Sequence, residues 1–250
     1  MIKTENLCKS FVDNKKGLVH AVKNVSFEAP SGKIFGLLGV NGAGKTTCLR
    51  MLSTVIVPTS GSASVDGFDV VKDGQEVRAR IGFLSSSTAL YGRLTAREML
   101  QYFGELNQLS PAKLKERLDF VIQKLRLEEY IDRLCDKLST GQKQRVSIAR
   151  AILHDPPVIF FDEPTAGLDV VTSQTIMEFI EETRAQGKTV VFSTHIMSEA
   201  ERLCDHIAVI HQGEIKASGT VQSLIAETET TSLEKAFLKL VGYEQGQVNP

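Results

Sequence analysis

Gly39-Val40-Asn41-Gly42-Ala43-Gly44-Lys45-Thr46-Thr47 fits the phosphate-loop pattern G-x-x-x-x-G-K-[ST]. The stretch follows the apolar run Ile34-Phe35-Gly36-Leu37-Leu38 and precedes a helix-like segment at 47–52. A loop can wrap phosphate groups only if its backbone N–H groups point inward, and glycines permit the turns that this requires. The alternative interpretation, a plain glycine-rich turn, does not explain the Lys-Thr pair after the last glycine, because that pair has no structural role in such a turn. The sequence therefore predicts a phosphate-binding loop between a strand and a helix.

The residue types in this loop suggest separate tasks. Lys45 is placed to reach the β- and γ-phosphates of a nucleotide and so to assist catalysis, and the Thr46 hydroxyl is placed to ligate Mg²⁺. The following helix presents its positive end to the same phosphates. The predicted nucleotide-binding residues in this stretch are Gly39, Val40, Asn41, Gly42, Ala43, Gly44, Lys45, Thr46 and Thr47.

Two acids, Asp162 and Glu163, follow the short apolar run Val158-Ile159-Phe160-Phe161. Such a run is typical of a strand that is covered on both faces. In a phosphate-loop enzyme, the acid that ends such a strand holds Mg²⁺, so Asp162 is the predicted metal ligand and Glu163 is predicted to polarise the attacking water. Without a phosphate loop, the same pair would be interpreted as two solvated acids at a strand exit.

A third element, Leu138-Ser139-Thr140-Gly141-Gln142, precedes a segment with apolar residues at helical spacing. Ser139 is predicted to cap that helix, and Gly141 leaves its first turn bare, so a second anion site could form from backbone groups and a hydroxyl. Taken alone, the stretch is only a helix N-cap. Phe11 likewise has two open interpretations, core packing or stacking on a base.

The alternation of strands and helices predicts an α/β fold with a mainly parallel sheet and a ligand at the carboxyl ends of its strands. We expect a P-loop NTPase core with an N-terminal antiparallel β-subdomain and an inserted α-helical subdomain at about 87–157. The predicted α/β domain covers 1–220, and a helical tail covers 221–250. Residues around Gln212-Gly213 are predicted to form a hairpin turn.

Composition limits the possible partners. A net charge of −1 and a pI near 6.5 give no basic footprint, so no nucleic acid is expected. The four cysteines lack a C-x-x-C spacing, which favours a reducing compartment over a metal site. No run approaches the roughly 18 apolar residues that span a bilayer, and the first residues lack the apolar core of a signal peptide. We therefore expect a cytoplasmic chain that could serve a membrane only through another protein.

Taken in order, these features resemble the nucleotide-binding subunit of an ABC transporter. The resemblance spans residues 1 to about 220 and is carried by the phosphate loop, Leu138–Gln142, the strand ending in Asp162-Glu163, Ala166-Gly167-Leu168-Asp169, and His195. It implies ATP and Mg²⁺ as ligands. It also implies a second ATP-binding subunit in a head-to-tail dimer, with two identical chains expected, and a separate transmembrane permease subunit. The chain would then lie peripherally on the inner face of the cell membrane.

The resemblance also implies roles for individual residues. Lys45 of one chain and Ser139 of the other would clasp one ATP. Phe11 would stack on adenine, Asp169 would bridge the dimer, and His195 would contact the γ-phosphate as part of the catalytic set with Glu163. The residues implied to bind the ATP of the partner chain are Ser139, Thr140, Gly141 and Gln142.

Two positions depart from the family pattern. Thr140 replaces the first glycine of the usual Ser-Gly-Gly-Gln. This replacement is expected to be tolerated, because threonine can occupy the start of a helix. Ser86 stands where the family has a glutamine that touches Mg²⁺ and the water. Serine is shorter than glutamine, so direct contact with Mg²⁺ is not expected at this degenerate loop, although a bridging water can restore part of it. We therefore expect ATP hydrolysis to be slowed but not abolished.

Alternatives from other classes differ in sequence features. A DNA-repair ATPase of the same superfamily would need a coiled-coil or zinc insertion, and a translation-factor ATPase usually carries two cassettes in one chain. A silent regulatory cassette is suggested by Ser86 but opposed by intact Lys45, Asp162, Glu163 and His195. The stretches Leu90–Glu98 and Glu234–Leu240 resemble bacterial exporter ATPases of the sodium-efflux type, so sodium or another small solute is the expected cargo.

Overall fold

A computed structural model describes residues 1–13, 15, 17–85 and 89–243. In this part of the chain the strands are β1 (Ile2–Asp13), β2 (Gly17–Ala29), β3 (Ile34–Leu38), β4 (Ser60–Val65), β5 (Phe68–Asp69), β6 (Ile81–Leu84), β7 (Val158–Asp162), β8 (Thr189–Thr194), β9 (His206–His211) and β10 (Glu214–Gly219). The helices are α1 (Lys45–Leu52), α2 (Gly74–Arg80), α3 (Ala96–Leu106), α4 (Pro111–Leu125), α5 (Thr140–Ile152), α6 (Val170–Ala185), α7 (Met197–Leu203), α8 (Val221–Glu227) and α9 (Leu233–Leu240).

The larger sheet has the strand order β10-β9-β3-β8-β7-β6. Its neighbouring strands are parallel except for the β9–β10 hairpin, which confirms the predicted mainly parallel sheet. Every residue of β3, β7 and β8 is buried, as expected for strands with helices or a second sheet on both faces. The hairpin turns at Gln212-Gly213, where both residues have positive φ, 50° and 83°, as a type I′ turn requires.

The smaller sheet, β2-β1-β4-β5, is antiparallel and confirms the predicted N-terminal β-subdomain. Apolar residues on its inner face pack against the larger sheet and α1 in one core cluster. Stacking of the Phe27 and Phe35 rings, with centroids 4.8 Å apart, joins the two sheets. This contact places β2 beside the strand that leads into the phosphate loop.

Three of the helices, α3, α4 and α5, lie within the predicted helical insert. Thr95 and Ser110 cap α3 and α4 through their hydroxyls, as their sequence positions indicate. Apolar residues of all three share a core cluster with Leu84, Ile159 and Phe161 of the sheet. Because that core is continuous, the position of the subdomain boundary stays a prediction.

Helix α9 packs on the body through Leu233, Ala236 and Phe237, which are buried. Helix α6 begins at Val170, where the Asp169 carboxylate accepts a hydrogen bond from the Thr172 N–H. Similarly, α1 begins at Lys45, directly after the last glycine of the loop. Among the described residues, no helix combines the length and apolarity that crossing a bilayer requires.

Candidate functional site

Neighbouring parallel strands bring the predicted catalytic residues to one edge of the sheet. The last residue of β3, Leu38, is paired with Thr194 at the end of β8, and Asp162 at the end of β7 is paired with Ser193. Parallel strands end at the same side of a sheet. The phosphate loop follows β3, Glu163 follows β7 and His195 follows β8, so all three lie at this edge. The strand order thus assembles residues that are more than 100 positions apart in the chain.

The phosphate loop depends on two glycines for separate reasons. Gly44 has a φ of 111°, and a Cβ there would lie 2.7 Å from the carbonyl oxygen of Ala21 in β2. At Gly39 a Cβ would lie 2.3 Å from the carbonyl oxygen of Ile210. Gly44 also provides no side-chain cap for α1, so the first N–H groups of the helix face outward at its positive end.

Lys45 is buried, with 4% of its surface exposed. Its Nζ donates to the carbonyl oxygens of Gly39 at 2.7 Å and Val40 at 3.2 Å, and it lies 3.0 Å from Glu163 Oε1. A buried ammonium group needs such partners because burial of an unpaired charge is costly. The loop therefore holds its cation beside the carboxylate of Glu163, the predicted catalytic base.

Asp162 has the environment of a metal ligand. It is fully buried, and its Oδ1 accepts hydrogen bonds from Ser193 Oγ at 2.8 Å and Thr46 Oγ1 at 3.1 Å, whereas its Oδ2 is buried without a partner. Burial raises the pKa of the Asp162 carboxyl. An unsatisfied carboxylate oxygen beside a threonine hydroxyl is a set of hard oxygen donors, which fits Mg²⁺.

Glu163 lies between two other predicted catalytic groups. Its Oε1 faces Lys45, and its Oε2 lies 3.2 Å from His195 Nδ1. Its backbone has a φ of 48°, a strained conformation for a non-glycine residue, and its N–H donates to the carbonyl oxygen and the hydroxyl of Ser193. The strained turn thus aims the carboxylate across the strand ends instead of into solvent.

A cavity of about 160 Å³ opens over this edge. Its lining consists of Ala21, Asn41, Gly42, Gly44, Lys45, Thr46, Thr47 and Glu163. Of the other loop residues, Gly39 and Val40 contribute carbonyl oxygens to Lys45, and the Ala43 side chain is buried in the core. Most of the predicted phosphate loop therefore surrounds one polar cavity that also contains the candidate base.

The predicted second anion site lies elsewhere. Ser139 caps α5, since its hydroxyl accepts from the Gln142 N–H at 3.3 Å and its own N–H donates to Gln142 Oε1 at 3.0 Å. Ser139 and Thr140 are exposed, and a Cβ on Gly141 would lie 3.1 Å from the Thr172 side chain. No residue of 139–142 is in the described lining of the cavity, so the two predicted anion sites of the chain lie apart.

Asp169 begins α6 and is held by Thr172. Its carboxylate accepts from the Thr172 N–H at 2.9 Å and from the Thr172 hydroxyl at 2.7 Å, and these hydrogen bonds hold the pKa of Asp169 below its usual range. The same Thr172 packs beside Gly141. The predicted dimer loop and the start of α5 are therefore neighbours on one surface.

Phe11 lies on β1 and is 42% exposed, with Lys9 Nζ 5.2 Å from its ring centroid. Core packing, one of the two interpretations of the sequence, is therefore wrong. Phe11 does not line the phosphate cavity, and stacking on adenine stays a prediction. Ser86 lies outside the described residues.

Two contacts escaped the sequence interpretation. Ser193, fully buried in β8, links Asp162 and Glu163 through the hydrogen bonds described above. Gln144 Nε2 donates to the Pro164 carbonyl oxygen at 2.6 Å and so ties α5 to the loop after Glu163. A serine within an apolar strand was a usable signal for the first, but no sequence pattern indicates the second.

We expect Asp162→Asn to make the protein more stable at neutral pH without metal or nucleotide, because a buried amide costs less than a buried carboxylate. Its melting temperature should rise by about 2–4 °C, as about 1 kcal/mol produces in a chain of this size. The raised pKa means that the native state keeps this proton to higher pH than the unfolded chain. The wild-type protein therefore loses stability as pH rises through the native pKa.

Thermal unfolding of both proteins in a chelating buffer, from about pH 4 to about pH 8, measures this effect. The difference in melting temperature should be small at the acid end and grow with pH. A variant that melts at or below the wild-type temperature at pH 8 would show that ionised Asp162 carries no burial cost.

Comparisons with known proteins agree with this geometry. A family model described as ABC transporter matches residues 22–166. The ABC transporter ATP-binding protein NatA of Bacillus subtilis (strain 168) is 43% identical over 243 residues, which cover 96% of this chain and 98% of NatA.

Solved structures extend the match to the fold. The ATP-binding subunit of an ABC transporter superposes with a TM-score of 0.86 at 28% identity, covering 96% of this chain and 99% of that one. The ATP-binding cassette MJ0796, in a dimeric post-hydrolysis state bound to ADP and Pi, gives 0.81 at 29% identity, covering 88% and 98%. These findings confirm the resemblance drawn from the sequence.

Proposed function

Because this chain belongs to the ABC transporter family as an ATP-binding subunit, we propose that it hydrolyses ATP to ADP and phosphate and so powers transport through a separate transmembrane subunit. The observation that carries the proposal is the position of Glu163. One carboxylate lies 3.0 Å from Lys45 Nζ and 3.2 Å from His195 Nδ1, at the rim of the phosphate cavity.

In this proposal each residue has a distinct task. Lys45 and the N–H groups at the start of α1 bind the phosphates and stabilise the charge that develops on them. Glu163 accepts a hydrogen bond from the attacking water and takes its proton, and His195 orients Glu163 and the γ-phosphate. In the structure Glu163 contacts Lys45, and to act as a base it must contact water instead. Phosphate oxygens that bind Lys45 would draw it away from Glu163 and leave the carboxylate free to accept from the water.

Thr46 and Asp162 would hold Mg²⁺ with the nucleotide bound. The cation supplies electrostatic stabilisation of the phosphate oxygens. Support comes from the donor set, one threonine hydroxyl and one buried carboxylate oxygen without a protein partner. Ser193 fixes the other oxygen of Asp162, so the ligand is oriented before the cation arrives.

We propose that two copies of the chain enclose two ATP molecules. Support comes from the separation of the half-sites, since Ser139 and Thr140 are exposed and outside the phosphate cavity. Residues 139–142 of one copy would then close over the phosphates held by Lys45 of the other. Asp169 lies on the same surface and would bridge the copies, and Phe11 would stack on the adenine. ATP therefore favours the closed dimer, and loss of the γ-phosphate contacts lets it open.

The opening and closing would drive a transmembrane partner, which places the chain on the inner face of the cell membrane. We propose export, of sodium or another small solute, on the resemblance of 90–98 and 234–240 to sodium-efflux ATPases. A tagged chain should sediment with membranes of its host and be released by an alkaline wash. A chain that stays in the supernatant when its host carries the transporter would contradict this assignment.

A direct assay tests the enzymatic proposal. The purified chain should release phosphate from ATP, and the rate per chain should rise with protein concentration because the active form is a dimer. Chelation of divalent cations should abolish the activity, and restored Mg²⁺ should return it. A rate per chain that is independent of concentration would argue for a site that one copy completes alone.

A further inference from the structure

A buried carboxylate without a role in the proposed chemistry lies behind the catalytic edge of the sheet. Glu199, on α7, is 7% exposed. Its Oε1 accepts a hydrogen bond from Thr165 Oγ1 at 2.6 Å, and its Oε2 accepts one from Thr194 Oγ1 at 2.7 Å. Burial of a glutamate is costly, and these two bonds go to neutral hydroxyls that contribute no opposite charge.

The two threonines stand at two different strand exits. Thr165 follows Glu163 by two residues, and Thr194 directly precedes His195. The Thr194 hydroxyl also accepts from the Ile196 N–H at 3.0 Å, so it fixes the backbone on both sides of His195. In addition, the Thr194 carbonyl oxygen accepts from the Gly39 N–H at 3.2 Å. One carboxylate therefore ties together the exits of β7 and β8, beside the first residue of the phosphate loop.

We propose that Glu199 is a positioning residue for ATP hydrolysis, which holds Glu163 and His195 in their mutual orientation through Thr165 and Thr194. The inference rests on the proposed ATPase function. Glu163 has the strained φ of 48°, and such a conformation persists only when its surroundings enforce it. Two short hydrogen bonds from hydroxyls to one buried carboxyl group, at 2.6 and 2.7 Å, can supply that constraint.

Glu199→Gln tests the proposal with little change in shape. The amide oxygen replaces only one of the two carboxylate oxygens, and the NH2 group at the other position cannot accept, so one of the two threonine hydroxyls loses the acceptor of its present hydrogen bond. Because a misplacement of about 1 Å can cost about 100-fold in rate, we expect kcat to fall about 10- to 100-fold. KM for ATP and the affinity for a nonhydrolysable analogue should stay within about twofold of wild type, since Lys45 and the loop are untouched.

Glu201→Gln is the matched control. Glu201 lies on the same helix but is exposed, and its Oε1 accepts from the Leu233 N–H, a bond that an amide oxygen can also accept. The control should hydrolyse ATP at the wild-type rate. A decrease equal to that of Glu199→Gln would assign the effect to α7 as a whole and overturn the proposal.

A second pair of variants changes the other end of the contact. Thr165→Ser keeps the hydroxyl, and Thr165→Val keeps the shape without it. We expect Ser to retain the wild-type kcat and Val to lose as much as Glu199→Gln. Equal rates for Ser and Val would exclude the hydroxyl as the link, even where Glu199→Gln folds poorly.

A double variant separates positioning from a general structural role. Once Glu163 is glutamine, only the orientation of His195 remains to be maintained, so adding Glu199→Gln should lower the single-turnover rate of Glu163→Gln by a smaller factor than it lowers that of wild type. Multiplied losses would contradict positioning. If wild type itself hydrolyses no ATP, the proposed function fails and this inference with it. If wild type is active and Glu199→Gln equals it, only this inference fails.

Discussion

Replacing Glu163 by glutamine is expected to lower the rate of ATP hydrolysis by about 10²–10⁴-fold, the usual contribution of a general base. The amide keeps the size of the side chain but cannot accept the proton of the attacking water. It can still accept from Lys45 and contact His195, which lie 3.0 and 3.2 Å from the present carboxylate oxygens. Nucleotide affinity should therefore change little while turnover nearly stops.

The same variant should accumulate the closed state. Hydrolysis is the step that removes the γ-phosphate contacts, so its loss should leave two chains joined by ATP. Size-exclusion chromatography in Mg-ATP should show a particle of twice the 27.5 kDa of one chain, and wild type should remain mostly single. Glu178→Gln, at an exposed position of α6, is the control and should behave as wild type. A monomeric Glu163→Gln protein in saturating ATP would contradict the two-copy mechanism.

The core of the site could be predicted from sequence because its signals are local. The glycine spacing, the Lys-Thr pair and the preceding apolar run occupy one short stretch, and Asp162-Glu163 directly ends another apolar run. Each of these two patterns marks the end of a strand and the functional side chains that follow it. The physics of phosphate binding then needs only that these exits meet at one edge, which a parallel sheet provides.

The supporting contacts were less predictable because they depend on strand order. β3 lies between β8 and β9, although those strands come more than 150 residues later in the chain. The bonds from Ser193 to Asp162 and from Thr165 to Glu199 exist only once that order is set. No local sequence pattern encodes the strand order. A polar residue within an apolar strand was therefore the only sequence feature that pointed to these contacts.

The exposure of Phe11 was unpredictable for a different reason. Its pairing partner across the β1–β2 ladder is Val19, but the register shifts three times between Thr4 and Ser10. Each irregularity changes which side chains share a face, so an alternating pattern cannot be extended from the well-buried start of β1 to its end. Both interpretations of Phe11 therefore remained open until the ladder was known.

Mixed dimers of two inactive variants are expected to regain about half of the wild-type activity, because a dimer of shared sites has two pockets. Lys45→Met removes the phosphate-binding cation. Ser139→Asp keeps a good helix cap at α5 but adds a negative charge that repels the γ-phosphate of the partner. Each variant alone alters both pockets of its own dimer and should be inactive. A dimer with one copy of each has both changes in one pocket and none in the other.

Isolation of only mixed dimers, through a different affinity tag on each variant, makes the outcome quantitative. Restored hydrolysis requires that Lys45 and Ser139 act on one ATP from different chains, because two chains that each completed their own site would stay inactive in any mixture. The structure already separates the groups, since Lys45 is buried at the phosphate cavity and Ser139 is exposed outside it. A control mixture of Lys45→Met with Glu163→Gln should not recover, because both residues belong to the same half-site and every pocket then lacks one of them.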